Sequence, residues 1–163
     1  MPADPSVLES MKSLAIDYEE MACDPALADT AQFCEAYGVP LDRSANTILV
    51  ASRKPEGTMV ACVVLATTRL DVNDVVRRKM GARKASFANA EQTRDVTGME
   101  IGGVTIFGLP TSLPVWVDSR ILECDWIIIG AGSRSAKIKL DPRQLGGLDG
   151  FEVVEGLARE PSG

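Results

Sequence analysis

Apolar residues return every three or four positions near the start of the chain, at Val7, Leu8, Met11, Leu14, Ala15, Tyr18 and Met21. That spacing predicts an amphipathic helix within residues 1–23, and Ser6 with Glu9 has the spacing of a capping box ahead of it. A second helix is predicted over 31–37: Asp29 and Thr30 can cap it, Gly38 can stop it, and Phe33, Cys34 and Tyr37 share one side. The period then changes. Two β-branched runs, 47–52 and 58–66, flank the turn residues Pro55 and Gly57 and read as a hairpin whose second strand is buried on both faces. Asp71 and Gly81 bracket a third helix, a short strand follows over 84–88, and Asn89 with Gln92 opens a fourth helix that ends at Gly98.

Next comes TGMEIGGVTIFGLPTSLPVWVD (97–118), where Gly98, Gly102, Gly103, Gly108, Pro110 and Pro114 interrupt strong strand formers. Glycine allows positive φ and lets a ligand approach N–H groups that a Cβ would shield, so the loop suits a pocket wall; a tight surface connection uses the same residues. It has neither the GxxxxGK[ST] nor the GxGxxG pattern of a nucleotide phosphate loop. Beyond it, 115–117 and 126–129 read as strands, and Gly130, Ala131, Gly132 and Ser133 as a second glycine-bearing turn. Ala136, Ile138 and Leu140 alternate with Lys137 and Lys139, a strand with one buried and one wet face. Asp141 and Pro142 suit a cap and a first helical residue, 151–154 a last strand, and 159–163 a frayed tail. Hairpins mixed with helices predict an α/β chain of the α+β type with a mixed sheet, forming a single domain over 1–163 with its core at 30–156.

A length of 163 residues with 45% hydrophobic content supplies one sizeable core and is short for two. No run is long enough to span a bilayer, and the first residues have neither a basic n-region nor an apolar h-region. A cytoplasmic protein without a membrane partner is expected. Cys23, Cys34, Cys62 and Cys124 form no CxxC pair and read as reduced, structural thiols. The chain has no histidine, which removes Ser-His-Asp and Cys-His catalysis and most zinc sites, so neither a metal nor another cofactor is expected. Chemistry then falls to carboxylates, lysine, hydroxyls, backbone amides or the substrate's own groups. A net charge of −6 argues against broad nucleic-acid binding, and no DNA partner is expected. Two basic clusters stand out locally: Arg77, Arg78, Lys79, Arg83 and Lys84, and then Arg134, Lys137, Lys139 and Arg143. Each is either a solvated face or a contact for a phosphate backbone.

GGVTIFGLP, PVWVD and IIIGAGSRSAKIKL, in that order, resemble the YbaK/EbsC-type family, which is similar to the editing domain inserted in bacterial prolyl-tRNA synthetases; the likeness covers roughly 30–148. It implies a curved, barrel-like mixed sheet flanked by helices, with a pocket between the glycine loop and the strand edges. It also implies an activity, hydrolysis of the ester joining a wrongly attached amino acid to the end of a tRNA, and hence an aminoacylated tRNA as partner. The family's lysine, in a K-T-[LI] context, aligns with Asn46 in SANTILV, and its GxxxP loop with 102–106, where Ile106 stands in place of proline. Carried onto this chain, the resemblance makes Asn46, Gly102, Gly103 and Asp118 the catalytic candidates. The substrate-binding candidates are Thr47, Val104, Thr105, Ile106, Phe107, Gly108, Gly130, Ala131, Gly132 and Ser133. Arg77, Arg78, Arg83 and Lys84 are the candidates for the tRNA backbone.

An aminoacyl ester is already activated, so preorganised dipoles and a placed water can cleave it without a protein nucleophile; in the family a terminal ribose hydroxyl assists. A small second site also answers a size problem, since apolar pockets discriminate by only about 1–3 kcal/mol per methylene. Several residues keep two readings. Asp118 could orient a water or the substrate's α-amino group, or cap the turn after its strand; the 130–133 turn could present amides and Ser133 to a pocket, or simply turn. Thr105 could donate to the ester or fill a strand position, and Trp116 and Trp126 read as core or pocket wall. Three functions fit: a deacylase acting in trans, a family member that binds such a ligand without turnover, and an interaction protein that docks through its N-terminal helix.

Overall fold

Asp4 starts the first helix of the computed structural model, which describes residues 3–160. Its carboxylate accepts the Ser6 N–H at 2.9 Å, and helix α1 covers Pro5–Ser13 with Val7 and Met11 buried. The expected Ser6 and Glu9 box is replaced by this cap, and the expected helix through residue 23 stops early. Ala15 turns the chain at a φ of 54°, and Tyr18–Ala22 forms strand β1. Residues 14–21 satisfy a helical period, but the unpaired edge of a later strand, β8 (Ala136–Leu140), needs main-chain partners and takes these residues antiparallel, Tyr18 opposite Leu140.

Helix α2 (Thr30–Tyr37) ends on Gly38 in the left-handed region, as its glycine stop predicts. In the hairpin, β2 (Ala45–Lys54) is longer at both ends than its β-branched run suggested, whereas β3 (Glu56–Leu65) starts two residues earlier and ends one residue sooner. Strand β4 (Arg69–Leu70) leads into a helical segment, Val72–Val76 continuing into α3 (Arg77–Met80), capped by Asp71 and closed at Gly81. Strand β5 (Lys84–Phe87) follows, and then α4 (Ala90–Thr97), where Asn89 and Gln92 form a full reciprocal capping box. The remaining strands are β6 (Val115–Asp118), β7 (Ile127–Gly130), β8, β9 (Phe151–Val154) and β10 (Ala158–Arg159). Arg159, expected in a frayed tail, pairs with Arg69 of β4; residues 161–163 of that tail lie outside the described chain.

Two sheets carry the fold. One has the order β1-β8-β7, all antiparallel; the other is mixed, in the order β5-β2-β3-β6-β9, with β3, β6 and β9 running parallel. Ser44 forms a single parallel bridge to Ile128, which brings β7 beside the start of β2 and curls the sheets toward one another. The largest core lies between them, around α1 and the odd-numbered residues Leu49, Ala61, Val63 and Val115. A second core covers the other face of the five-stranded sheet, from Val50, Cys62 and Trp116 to Val72, Val76 and Leu157. Among the described residues no helix is long and apolar enough to cross a membrane.

Candidate active site

Strand β5 accompanies β2 only from Val50 onward, and the last link on that side is the Ala88 N–H to Leu49 carbonyl bond of 2.9 Å. From Ala45 to Leu49 the edge of β2 therefore faces a gap, with β7 on its far side. A cavity of about 370 Å³ fills this gap, small among ligand pockets. Asn46, Thr47, Gly102, Val104 and Gly130, all expected at a binding site, line it together. Phe33, Ile101, Ile128 and Ile129 give it apolar walls, and Asp29 is the acidic residue among its described lining.

Asn46 accepts the Thr30 hydroxyl at 2.5 Å through its side-chain oxygen, so its amide N–H groups remain as donors. The Thr47 hydroxyl is buried and has no hydrogen-bond partner among the described residues, which leaves a lone polar atom on a cavity-lining residue. Gly102, at a φ of +92°, lies against the Arg134 guanidinium; that group donates to the Ile101 carbonyl at 2.7 Å and the Pro25 carbonyl at 3.0 Å, and pairs with Asp29 at 3.4 Å. Arg134 thus ties the glycine loop to the chain ahead of α2.

The two glycine segments meet, as a shared pocket wall requires, and the meeting occupies the amides of Gly103 and Gly132. Gly132 donates to the Gly103 carbonyl at 2.7 Å, Gly103 to the Glu100 carbonyl at 2.9 Å, and the Arg134 N–H to the Glu100 carboxylate at 2.7 Å. Gly103, Ala131, Gly132 and Ser133 lie behind the wall rather than in it. Gly132 packs against Asp4 and Val7, and Gly108 against Ser6. Ile106 and Phe107 are core residues, and Thr105 is fully buried outside both the cavity and any strand.

Asp118 is 1% exposed and is not part of the cavity lining. Its oxygens accept the Arg120 N–H at 2.9 Å and the Ala158 N–H at 2.8 Å, which supports the capping reading and adds an anchor for β10. Asp118→Ala is therefore expected to cost about 2 kcal/mol of stability through two stranded amides, readable as a lower urea midpoint, while the cavity keeps its ligand affinity. Lost affinity at unchanged stability would place Asp118 in the site after all.

The basic cluster sits at the other end of the hairpin. Lys84 pairs with Lys54, and the Arg83 N–H donates to the Lys54 carbonyl, eight residues from Asn46 or roughly 26 Å along the strand. Arg77 donates to the Asn73 and Ala82 carbonyls, and Arg78 pairs with Asp74 at 2.7 Å.

Lys137 is the residue that period reasoning missed. Its place in an alternating strand predicts a wet side chain, yet it is 6% exposed and lines the cavity. Its ammonium donates to the Ala28 carbonyl at 2.7 Å and the Gly102 carbonyl at 3.1 Å, 5.4 Å from the centre of the Phe33 ring. Burial holds its pKa below the ordinary lysine value; Arg134 pushes the same way, and Cys23, Asp29 and Cys34 oppose it. Alternation reports only two faces of a strand, and here both faces of β8 are covered.

The chain matches the family model described as aminoacyl-tRNA editing domain over residues 24–148. A Bacillus subtilis protein described as uncharacterized protein YwhH is 32% identical over 118 residues, covering 72% of this chain and 73% of that relative. Among solved structures, the hypothetical protein APE2540 superposes with a TM-score of 0.83 at 23% identity, over 94% of this chain and 99% of the other. A structure provisionally described as a trans-editing enzyme for prolyl tRNA synthetase gives 0.77 at 20% identity, over 97% and 99%. At these identities the two structural likenesses speak for the fold, a mixed α/β architecture of the editing-domain kind.

Proposed function

Because the chain belongs to the aminoacyl-tRNA editing domain family, we propose that it acts in trans as a deacylase, hydrolysing the ester of a mischarged tRNA. The observation that carries this reading is the convergence of Asn46, Gly102 and Gly130, from three distant segments, on one small half-apolar cavity. Phe33, Ile101, Val104 and Ile129 offer a seat that selects an amino-acid side chain by size. Asp29 supplies charge complementary to an α-ammonium, and the Asn46 amide and Thr47 hydroxyl supply polar partners for the terminal ribose. Water attacks the activated carbonyl, and a ribose hydroxyl can assist in a chain that has no histidine. For the RNA backbone, Arg43 and Lys139 lie nearer than Arg77, Arg78, Arg83 and Lys84. Arg43 precedes Ser44, and Lys139 is paired with Ile128, both of them cavity residues.

The test is release of amino acid from a panel of tRNAs mischarged with small residues. Hydrolysis above buffer is expected for at least one pairing, and none in any pairing overturns the reading. Saturable binding of an uncleavable aminoacyl-adenosine without turnover would identify a binding protein instead. Asn46→Lys restores the charge that the family carries at this position. A charge-assisted bond exceeds a neutral one by about 1 kcal/mol, so affinity for the tRNA end should rise by about fivefold. A large fall in activity would show that Asn46 does not occupy the lysine's place.

A further inference from the structure

Part of the loop's amide set is used in holding the loop itself. The N–H groups of Gly103, Gly132 and Arg134 already bind Glu100 and Gly103, as the bracing of the two glycine segments requires. The buried cation on the cavity wall is Lys137. An ammonium has three donors, and two of them are placed, on the carbonyls of Ala28 and Gly102. Those bonds hold it between the turn ahead of α2 and the glycine loop, and among the described residues the third donor has no partner and is left for a ligand.

We propose that Lys137 is a catalytic residue of the deacylation, its ammonium holding the oxyanion that forms when water adds to the ester carbonyl. This rests on the deacylase reading given above. The alternative anion, the terminal phosphate of the RNA, must stay continuous with a strand outside the cavity, whereas Lys137 is 6% exposed. A group buried to that degree meets the acyl end. In the step itself the water oxygen forms a new bond to the carbonyl carbon, and the carbonyl electrons move onto its oxygen beside Lys137. When they return, the bond to the ribose oxygen breaks; one water proton finishes on that oxygen and the other leaves the new carboxylic acid. Lys137 stays an ammonium throughout and transfers nothing. The loss of a lysine at position 46 is then met by a cation from a different strand.

In deacylation assays on the full chain, Lys137→Gln, whose amide NH2 keeps two donors for the two carbonyls but no charge, should lower kcat by about 10²–10³-fold and leave KM within about threefold. Lys137→Arg, which keeps the charge, should retain more of the rate than the glutamine variant. The decisive measurement is binding of two uncleavable adenosine conjugates by calorimetry: a neutral amide, and an anionic phosphonate with the shape of the tetrahedral adduct. The wild-type chain should prefer the phosphonate by at least about 10²-fold, and Lys137→Gln should erase that preference while barely moving the amide. A preference that survives in Lys137→Gln, or is missing from the wild type, overturns the role. Should the glutamine variant fail to fold, Lys137→Met, of similar length and without charge, takes its place in the same two measurements. Adenosine 5′-monophosphate provides the other control: if its affinity falls in Lys137→Gln as much as that of the phosphonate, the lysine reads phosphate and the oxyanion assignment is wrong. Hydrolysis without the preference leaves the deacylase standing and removes Lys137 from it. The preference without hydrolysis of any ester overturns both, and leaves Lys137 an anion-binding residue of a protein that does not turn the ligand over.

Discussion

Gly130→Ala will lower the stability of the chain by about 3 kcal/mol, the upper part of the range for overpacking a site that cannot relax. The reason is the crossing of two backbones. A Cβ at Gly130 would stand 2.5 Å from the Val104 carbonyl oxygen and 2.6 Å from that of Gly103, and a Cβ at Gly103 would collide with the main chain of Ser133. Backbone cannot swing aside as a side-chain tip can, so the strand and the loop must separate. That separation breaks the 2.7 Å bond from Gly132 to the Gly103 carbonyl and shifts Gly102, which carries one of the two carbonyls that hold Lys137. Urea unfolding should show a lower midpoint with little change in slope. Gly146→Ala is the matched control, because a Cβ there meets nothing within 4 Å; it should stay within about 0.5 kcal/mol of the wild type. Equal stability of the two variants would mean that the segments do not cross as described.

Why the glycines could be read from the sequence and Lys137 could not is a matter of range. Most local signals hold, the Ser6 and Glu9 box displaced by the Asp4 cap being the exception: the Asn89 and Gln92 box, the Asp71 cap, and the glycine stops at Gly38, Gly81 and Gly98 all depend on bonds closed within a few residues. The hairpin was equally legible, since its turn and its two β-branched runs are contiguous. What failed depended on distant partners. The end of α1 is decided by the edge of β8 more than a hundred residues away, and the order β3-β6-β9 by crossovers that carry no local signature. Site residues divide in the same way. Asn46, Gly102 and Gly130 could be located through motif order, whereas the burial of Lys137 and the anchoring of β10 by Asp118 arise only when α2 and residue 158 close over them.

Above pH 9 the buried thiols will draw stability down, and Cys62 carries the largest share among them. This thiol is fully buried on β3 between Ile48 and Trp116, and burial pushes its pKa from 9.0 up to about 12. Below pH 9 it is protonated in both states, and its contribution is fully present. Between 9 and about 12 the unfolded chain gives up the proton while the folded chain keeps it, so stability falls by about 1.4 kcal/mol per pH unit, approaching about 4 kcal/mol at the upper end. Cys23 and Cys124, also pushed up by burial, add loss of the same sign. Lys137, pushed down, acts oppositely: from its lowered value up to 10.5 the unfolded chain holds the extra proton, and stability rises with pH there. Cys62→Ala separates these terms. At pH 7 it should cost about 1 kcal/mol in lost packing, but between pH 9 and 10.5 its unfolding free energy should fall less steeply than that of the wild type, by close to one proton's worth of slope. Parallel curves through that window would mean that the folded state lets Cys62 ionise, and that the sheet face covering it is open to water.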